Sequence, residues 1–122
     1  MGTVNESMST SILLTIKDQL GLPGSYDKAF NGELLVDINS AISILQQLGL
    51  PIDETFEVSS DEETWSDLLG GDYSKYKMVK TYLFAKVKLM FDPPTNGVLL
   101  NHYKDLVNEH EFRLNIKAES KL

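Results

Sequence analysis

One long segment constrains the fold more than any other: residues 73–94, YSKYKMVKTYLFAKVKLMFDPP, place apolar side chains on two sides of a helix. At 3.6 residues per turn these side chains separate into two sets. The first set is Tyr76, Val79, Leu83, Val87, Met90 and Phe91, and the second is Met78, Tyr82, Ala85 and Leu89. Such a helix packs against its own domain on one face and has a second face for more core or for a neighbouring subunit. Residues 92–94 end it, because proline lacks a backbone donor and disfavours helical geometry in the preceding residue.

The length and composition of the chain predict one domain, residues 1–122, with flexible ends at 1–10 and 117–122. The absence of cysteine excludes disulfides and thiolate metal sites. No charged-then-apolar leader opens the sequence, and its apolar runs are far shorter than the roughly 18 residues that span a bilayer. These features predict a soluble protein of the cytosol.

The net charge of −7 is divided unevenly along the chain. Residues 1–72 carry 13 acidic residues and 2 lysines, whereas residues 73–122 carry 5 acidic and 9 basic residues. An acidic protein is a poor candidate for gripping DNA phosphates. A negative half and a positive half suit head-to-tail contact between identical copies. The alternative is that the two halves face each other inside one subunit.

Two helices are expected before residue 50. The first is capped by one of residues 9–11 and ends at Gly21. Its apolar stripe consists of Ile12, Leu13, Ile16 and Leu20. The second begins at Asp27 or Asn31, either of which can cap it, and runs to Leu48. Residues 39–40 interrupt its apolar pattern; we read them as an exposed helix face, with a polar contact inside the fold or at an interface as the alternative.

The second half of the chain adds the remaining elements. Residues 50–60 form the one extended segment, which is too short to found a sheet. Ser60 and Glu63 fit a capping box for a short helix at 64–69, in which Trp65 is a core anchor. A last helix, from about 97 to 116, is capped by Thr95 or Asn96. The sequence therefore predicts an all-α fold, a small bundle of about four to five helices with one short extended segment.

No residue pattern supports catalysis or cofactor binding. His102 and His110 are eight residues apart, which is not the spacing of a helical zinc pair, and no phosphate-binding loop occurs. The carboxylates Asp61 and Glu63 belong to a solvated cap and not to an apolar pocket. We therefore predict a protein without enzymatic activity, cofactor or metal.

As a whole, the sequence resembles the small head–tail connector proteins of tailed bacteriophages, the head-completion adaptors beneath the portal. Five segments carry the resemblance in order: LLVDINSA at 34–41 through LQQLG at 45–49, ETWSD at 63–67, VKTY at 79–82, LMFDPP at 89–94 and EFRLN at 111–115. Of these segments, the one that joins the central helix to FDPP is the most specific for the family. Relatives often have tryptophan before the Arg-Leu pair, where this chain has Phe112.

This resemblance implies an all-α structural virion protein that forms a ring of about twelve copies, docked on the portal and continuing the DNA channel toward the tail. The implied partners are other copies of itself, the portal protein and a tail-side completion or stopper protein. DNA would pass through the ring without specific binding, and no membrane is involved. The implied location is the neck of the virion, between head and tail, after synthesis in the cytoplasm of the host bacterium.

Three groups of candidate residues follow from this hypothesis. The subunit interface is assigned to apolar residues of the central helix: Met78, Tyr82 and Leu89. Their alternative role is in the core of the subunit. Contact with the portal or tail side is assigned to the C-terminal tail: Lys117, Lys121 and Leu122. An acidic loop facing the channel is assigned to Asp61 and Glu62.

Two other classes of protein remain as alternatives. A small helical interaction or regulatory protein would bind a partner without forming a ring. A helix-turn-helix DNA-binding protein would need a basic recognition helix, and the central helix is too apolar to lie in a groove of DNA.

Overall fold

The computed structural model describes residues 8–22, 28–71 and 73–115. Within these ranges lie five α-helices: α1 (Ile12–Leu20), α2 (Asn31–Leu48), α3 (Trp65–Leu69), α4 (Tyr76–Phe91) and α5 (Gly97–Leu114). The described ranges contain no strand, apart from an isolated antiparallel bridge between Ser11 and Thr64. The predicted all-α bundle is confirmed.

Helix α4 lies at the centre, where α1, α2 and α5 all pack against it. Both of its apolar faces are buried: Val79, Leu83 and Val87 on one side, Tyr82 and Ala85 on the other. Helix α5 covers the side of Tyr82, because the hydroxyl of Tyr82 bonds a carboxylate on that helix. Much of the second apolar face is therefore core within a single chain.

Local chemistry sets most helix ends. The Ser11 Oγ accepts a hydrogen bond from the Leu14 amide at the start of α1. The Asn96 Oδ1 accepts from the amides of Val98 and Leu99 at the start of α5. Helices α1 and α2 end at glycines in the left-handed region, where only glycine avoids a steric penalty, and Gly49 has φ of 105°. The predicted ends at these positions are confirmed.

The predicted capping box at Ser60 and Glu63 does not begin a helix, and only one of its two bonds forms, from the Ser60 amide to the Glu63 side chain. Helix α3 begins at Trp65, one residue after the predicted start, and its capping box consists of Thr64 and Asp67, each side chain bonding the other residue's backbone amide. The Glu63 carboxylate instead accepts from the amides of Ser59 and Ser60, closing a turn before the helix. Burial opposes ionisation of Glu63, but these hydrogen bonds outweigh it and lower its pKa.

Helix α2 begins at one of its two predicted positions, but the residue there does not cap it. Asn31 is the first helical residue, and its Oδ1 accepts from the buried Lys17 ammonium at 2.9 Å. The preceding Phe30 makes no side-chain cap. The other candidate, Asp27, lies outside the described residues. Helix α5 ends at Leu114, two residues before the predicted end.

The short helix α3 is held to the start of α1 through backbone and side chain. The Ile12 amide donates to the Glu63 carbonyl, and the Trp65 amide donates to the Thr10 carbonyl. The Trp65 ring is fully buried, meets Tyr76 edge to face at 6.0 Å, and donates through Nε1 to the Thr15 Oγ1. The predicted core anchor is confirmed.

Candidate assembly surfaces

The Asn39 side chain holds the extended segment against α2 by hydrogen bonds. Its Nδ2 donates to the carbonyls of Leu35 and Val58, and its Oδ1 accepts from the Val58 amide, each at 2.9 Å. The side-chain amide thus pairs with Val58 as a neighbouring strand would. Our reading of an exposed face is wrong for Asn39, although Ser40 is exposed. The sequence did indicate this contact, because Asn39 is a polar residue within an otherwise apolar segment of the helix.

The extended segment that Asn39 holds against α2 continues into a strongly acidic surface formed by residues 53–67. Residues 53–67 contain seven acidic residues and no lysine or arginine. Asp61 and Glu62, the predicted channel-facing residues, are exposed in the turn before α3. The Asp53 carboxylate accepts hydrogen bonds from the Thr55 amide and hydroxyl, which lower its pKa. This surface therefore carries negative charge at neutral pH and repels phosphates.

The Tyr82 side chain is fully buried within the single subunit. Its hydroxyl donates to Glu111 Oε2 at 2.8 Å, and the Lys86 ammonium lies 4.0 Å from the same oxygen. Burial, followed by the bond to Glu111 and the charge of Glu111, raises the pKa of Tyr82 well above its usual value. Of the two roles considered for Tyr82, its burial favours the core.

We expect Tyr82→Phe to lower the free energy of unfolding by about 1–2 kcal/mol at pH 7, because Glu111 loses a hydrogen bond. The folded pKa of Tyr82 lies above the unfolded value of about 10, so the unfolded chain releases this proton first as pH rises. Above about pH 10, the free energy of unfolding of the wild type should therefore fall by up to about 1.4 kcal/mol per pH unit because of Tyr82. The variant has no hydroxyl at this position and should not show this part of the fall.

Urea unfolding of both proteins between about pH 7 and 11 measures this difference. Tyr73→Phe is the matched control, because it removes a hydroxyl from an exposed ring whose oxygen lies 3.0 Å from the Ser66 Oγ. An unchanged profile for Tyr82→Phe would contradict the role given to the bond with Glu111.

The other predicted interface residues, Met78 and Leu89, are half-buried at the edge of the core. They lie near opposite ends of α4, about 16 Å apart along its axis. Their interface role stays a prediction. The predicted tail contacts Lys117, Lys121 and Leu122 lie outside the described residues.

Several large apolar side chains are exposed, a feature that sequence periodicity did not predict. They are Phe30, Val36, Tyr73, Met90, Val98, Leu99 and Phe112. Val36 and Met90 share an open groove between α2 and α4, which Glu33, Asp37 and Phe91 also line. We call it the α2–α4 groove. Phe112 is separate from it, on the outer face of α5, and 82% of its surface is exposed.

Neither a metal site nor a membrane span is found in the described part of the chain. Its histidine, aspartate and glutamate side chains form no group of three or more that could hold a metal ion. None of the described helices combines the length and the apolar character that crossing a bilayer requires.

The chain matches a known protein family over most of its length. A family model described as phage connector protein matches residues 12–121. The match begins at the first residue of α1 and includes all five described helices. No curated protein and no solved structure matches the chain.

Proposed function

Because the chain belongs to the phage connector protein family, and is thus a structural virion protein, we propose that it assembles into a ring beneath the portal. There it joins the DNA-filled head to the tail and continues the channel for DNA. The observation that carries the proposal is the family match over 110 of 122 residues, residues 12–121. The five-helix subunit gives that ring a rigid building block.

The acidic segment supports the proposed channel. All its acidic residues except the half-buried Glu63 are exposed, and Asn39 holds the adjoining backbone on α2. We place Asp61 and Glu62 on the channel side, where negative charge would let DNA pass without binding. The basic residues of 73–122 are then left for contacts with neighbouring copies, which are acidic over residues 1–72.

The proposed partners are other copies in a ring of about twelve, the portal on one side and a tail-side completion or stopper protein on the other. The tail residues Lys117, Lys121 and Leu122 would contact one of these two proteins. Met78 and Leu89 would contribute to contacts between copies, with Tyr82 behind them in the core.

Disrupting this gene alone in the phage tests the connector role. We expect electron microscopy of the lysate to show heads that package DNA but lose it, beside separate finished tails. Supplying the intact gene from a plasmid is the control and should restore joined particles. Normal joined virions in the disrupted strain would overturn the proposal.

A further inference from the structure

The α2–α4 groove offers an apolar surface with an acidic rim. Val36 is 65% exposed and Met90 is partly exposed beside it. Phe30, also exposed, meets Phe91 edge to face at 5.7 Å and extends the apolar surface beyond the groove. Phenylalanine and methionine are enriched at protein interfaces. The groove therefore has the composition of a docking site.

The charge on the rim favours a cationic partner. Glu33 and Asp37 lie one turn apart on α2, and both line the groove. Partial burial, followed by repulsion from Glu33, raises the pKa of Asp37. A cation that enters the groove would relieve this repulsion.

The end of α5 presents a matching pair of side chains. Phe112 points away from the core, about 200° around the helix from the buried Leu114. The neighbouring Arg113 pairs with Glu109 at 2.7 Å, and both side chains are more than half exposed. An exposed ion pair of this kind contributes little to stability, so Arg113 can leave Glu109 and pair with another carboxylate.

The groove and Phe112 lie at different places on one subunit. Met90 is near the C-terminal end of α4, whereas Phe112 follows Glu111, which bonds Tyr82. The levels of Tyr82 and Met90 are about 12 Å apart along α4. A contact between the groove and Phe112 of two copies thus joins unlike surfaces. Contacts of this type repeat from copy to copy and close into a ring when the rotation permits.

We propose that Phe112 of one copy docks in the α2–α4 groove of the next, with Arg113 beside Glu33 and Asp37. This inference rests on the ring proposed above and names its contact. An aromatic side chain and an arginine are typical anchors of such interfaces. The acidic rim selects this occupant, since Arg113 brings the opposite charge next to the apolar ring.

Cross-linking tests the contact directly, because the chain contains no cysteine. The double variant Val36→Cys with Phe112→Cys is treated with a short bis-maleimide, both as concentrated purified protein and within virions. We expect a ladder of covalent multimers on a denaturing gel. Neither single variant should form a ladder, because the contact joins residue 36 to residue 112.

The matched control is Val36→Cys with Val98→Cys. Val98 is as exposed as Phe112 but lies at the other end of α5. An equal ladder from this control, or no ladder from the Val36 and Phe112 pair in either preparation, would overturn the proposal.

Charge reversal and unfolding give a second readout. We expect Arg113→Glu to weaken self-association and Glu33→Lys in the same chain to restore it. In protein dilute enough to be monomeric, Phe112→Ser should leave the thermal unfolding midpoint unchanged, because its ring is exposed in the single chain and association no longer contributes to stability. A lower midpoint would show that Phe112 packs within its own subunit, and would overturn the proposed contact.

The two proposals fail in distinguishable ways. Separated heads and tails in the disrupted strain, without a ladder from virions or purified protein, would leave the connector role standing and remove this contact. Normal virions in the disrupted strain, with a ladder from purified protein, would establish the contact and remove the connector role.

Discussion

Trp65→Ala is expected to lower the free energy of unfolding by about 3–5 kcal/mol, as is typical for truncating a fully buried tryptophan. Small domains are stable by only about 5–15 kcal/mol, so the loss is a large part of the total. Helix α3 has five residues and cannot persist alone. The Trp65 ring joins it to Tyr76 of α4 and to Thr15 of α1. Its removal therefore loosens three helices at once.

Urea unfolding followed by circular dichroism measures this change, since the variant lacks the only tryptophan. Trp65→Phe is the matched control: it keeps an aromatic ring at the site but loses the bond to Thr15, so its effect should be smaller. Val98→Ala, on an exposed position, should change stability by less than about 0.5 kcal/mol. A loss below about 1 kcal/mol for Trp65→Ala would contradict the anchoring role.

Asn39→Asp is expected to cost about 3 kcal/mol although the two side chains have nearly the same shape. The substitution removes both bonds donated by Nδ2 and turns a carboxylate toward the carbonyls of Leu35 and Val58. Urea unfolding at pH 7 measures the loss, and limited proteolysis within residues 53–60 reports release of the extended segment.

The dependence of this loss on pH separates charge from packing. Facing two carbonyls, the new carboxyl has a folded pKa above its unfolded value, so the folded variant binds its proton more tightly. Relative to wild type, the deficit should be largest near pH 7 and should shrink as pH falls through that folded pKa. Asn39→Ala should show no such dependence, and Ser40→Asp, at an exposed position, should cost little. For Asn39→Asp, an equal deficit at pH 7 and at a pH below that folded pKa would contradict this account.

Much of the architecture could be predicted from local sequence chemistry. Gly21 and Gly49 end their helices because each adopts the left-handed conformation that closes a helix, which glycine adopts most readily. Asn96 was predicted correctly as one of two caps. The predicted box at Ser60 does not begin the helix because Thr64 and Asp67 offer the same chemistry one turn later, where backbone hydrogen bonds with Thr10 and Ile12 hold the helix start.

The candidate surfaces were harder to predict, because they depend on which helix covers which face. Periodicity identified two apolar faces on α4 but could not show that α5 covers the side of Tyr82. It likewise could not show that Val36 and Phe112 remain uncovered, since both occur in ordinary helical patterns. Asn39 was noticed as a polar interruption, yet its partner Val58 is 19 residues away.

The central position of α4 joins α1, α2 and α5 to one core. Because α1, α2 and α5 each pack on this helix, none can detach without exposing part of its apolar surface to water. Within the described residues, local opening is therefore expected in the loops between helices, whereas exposure of the middle of α4 requires global unfolding.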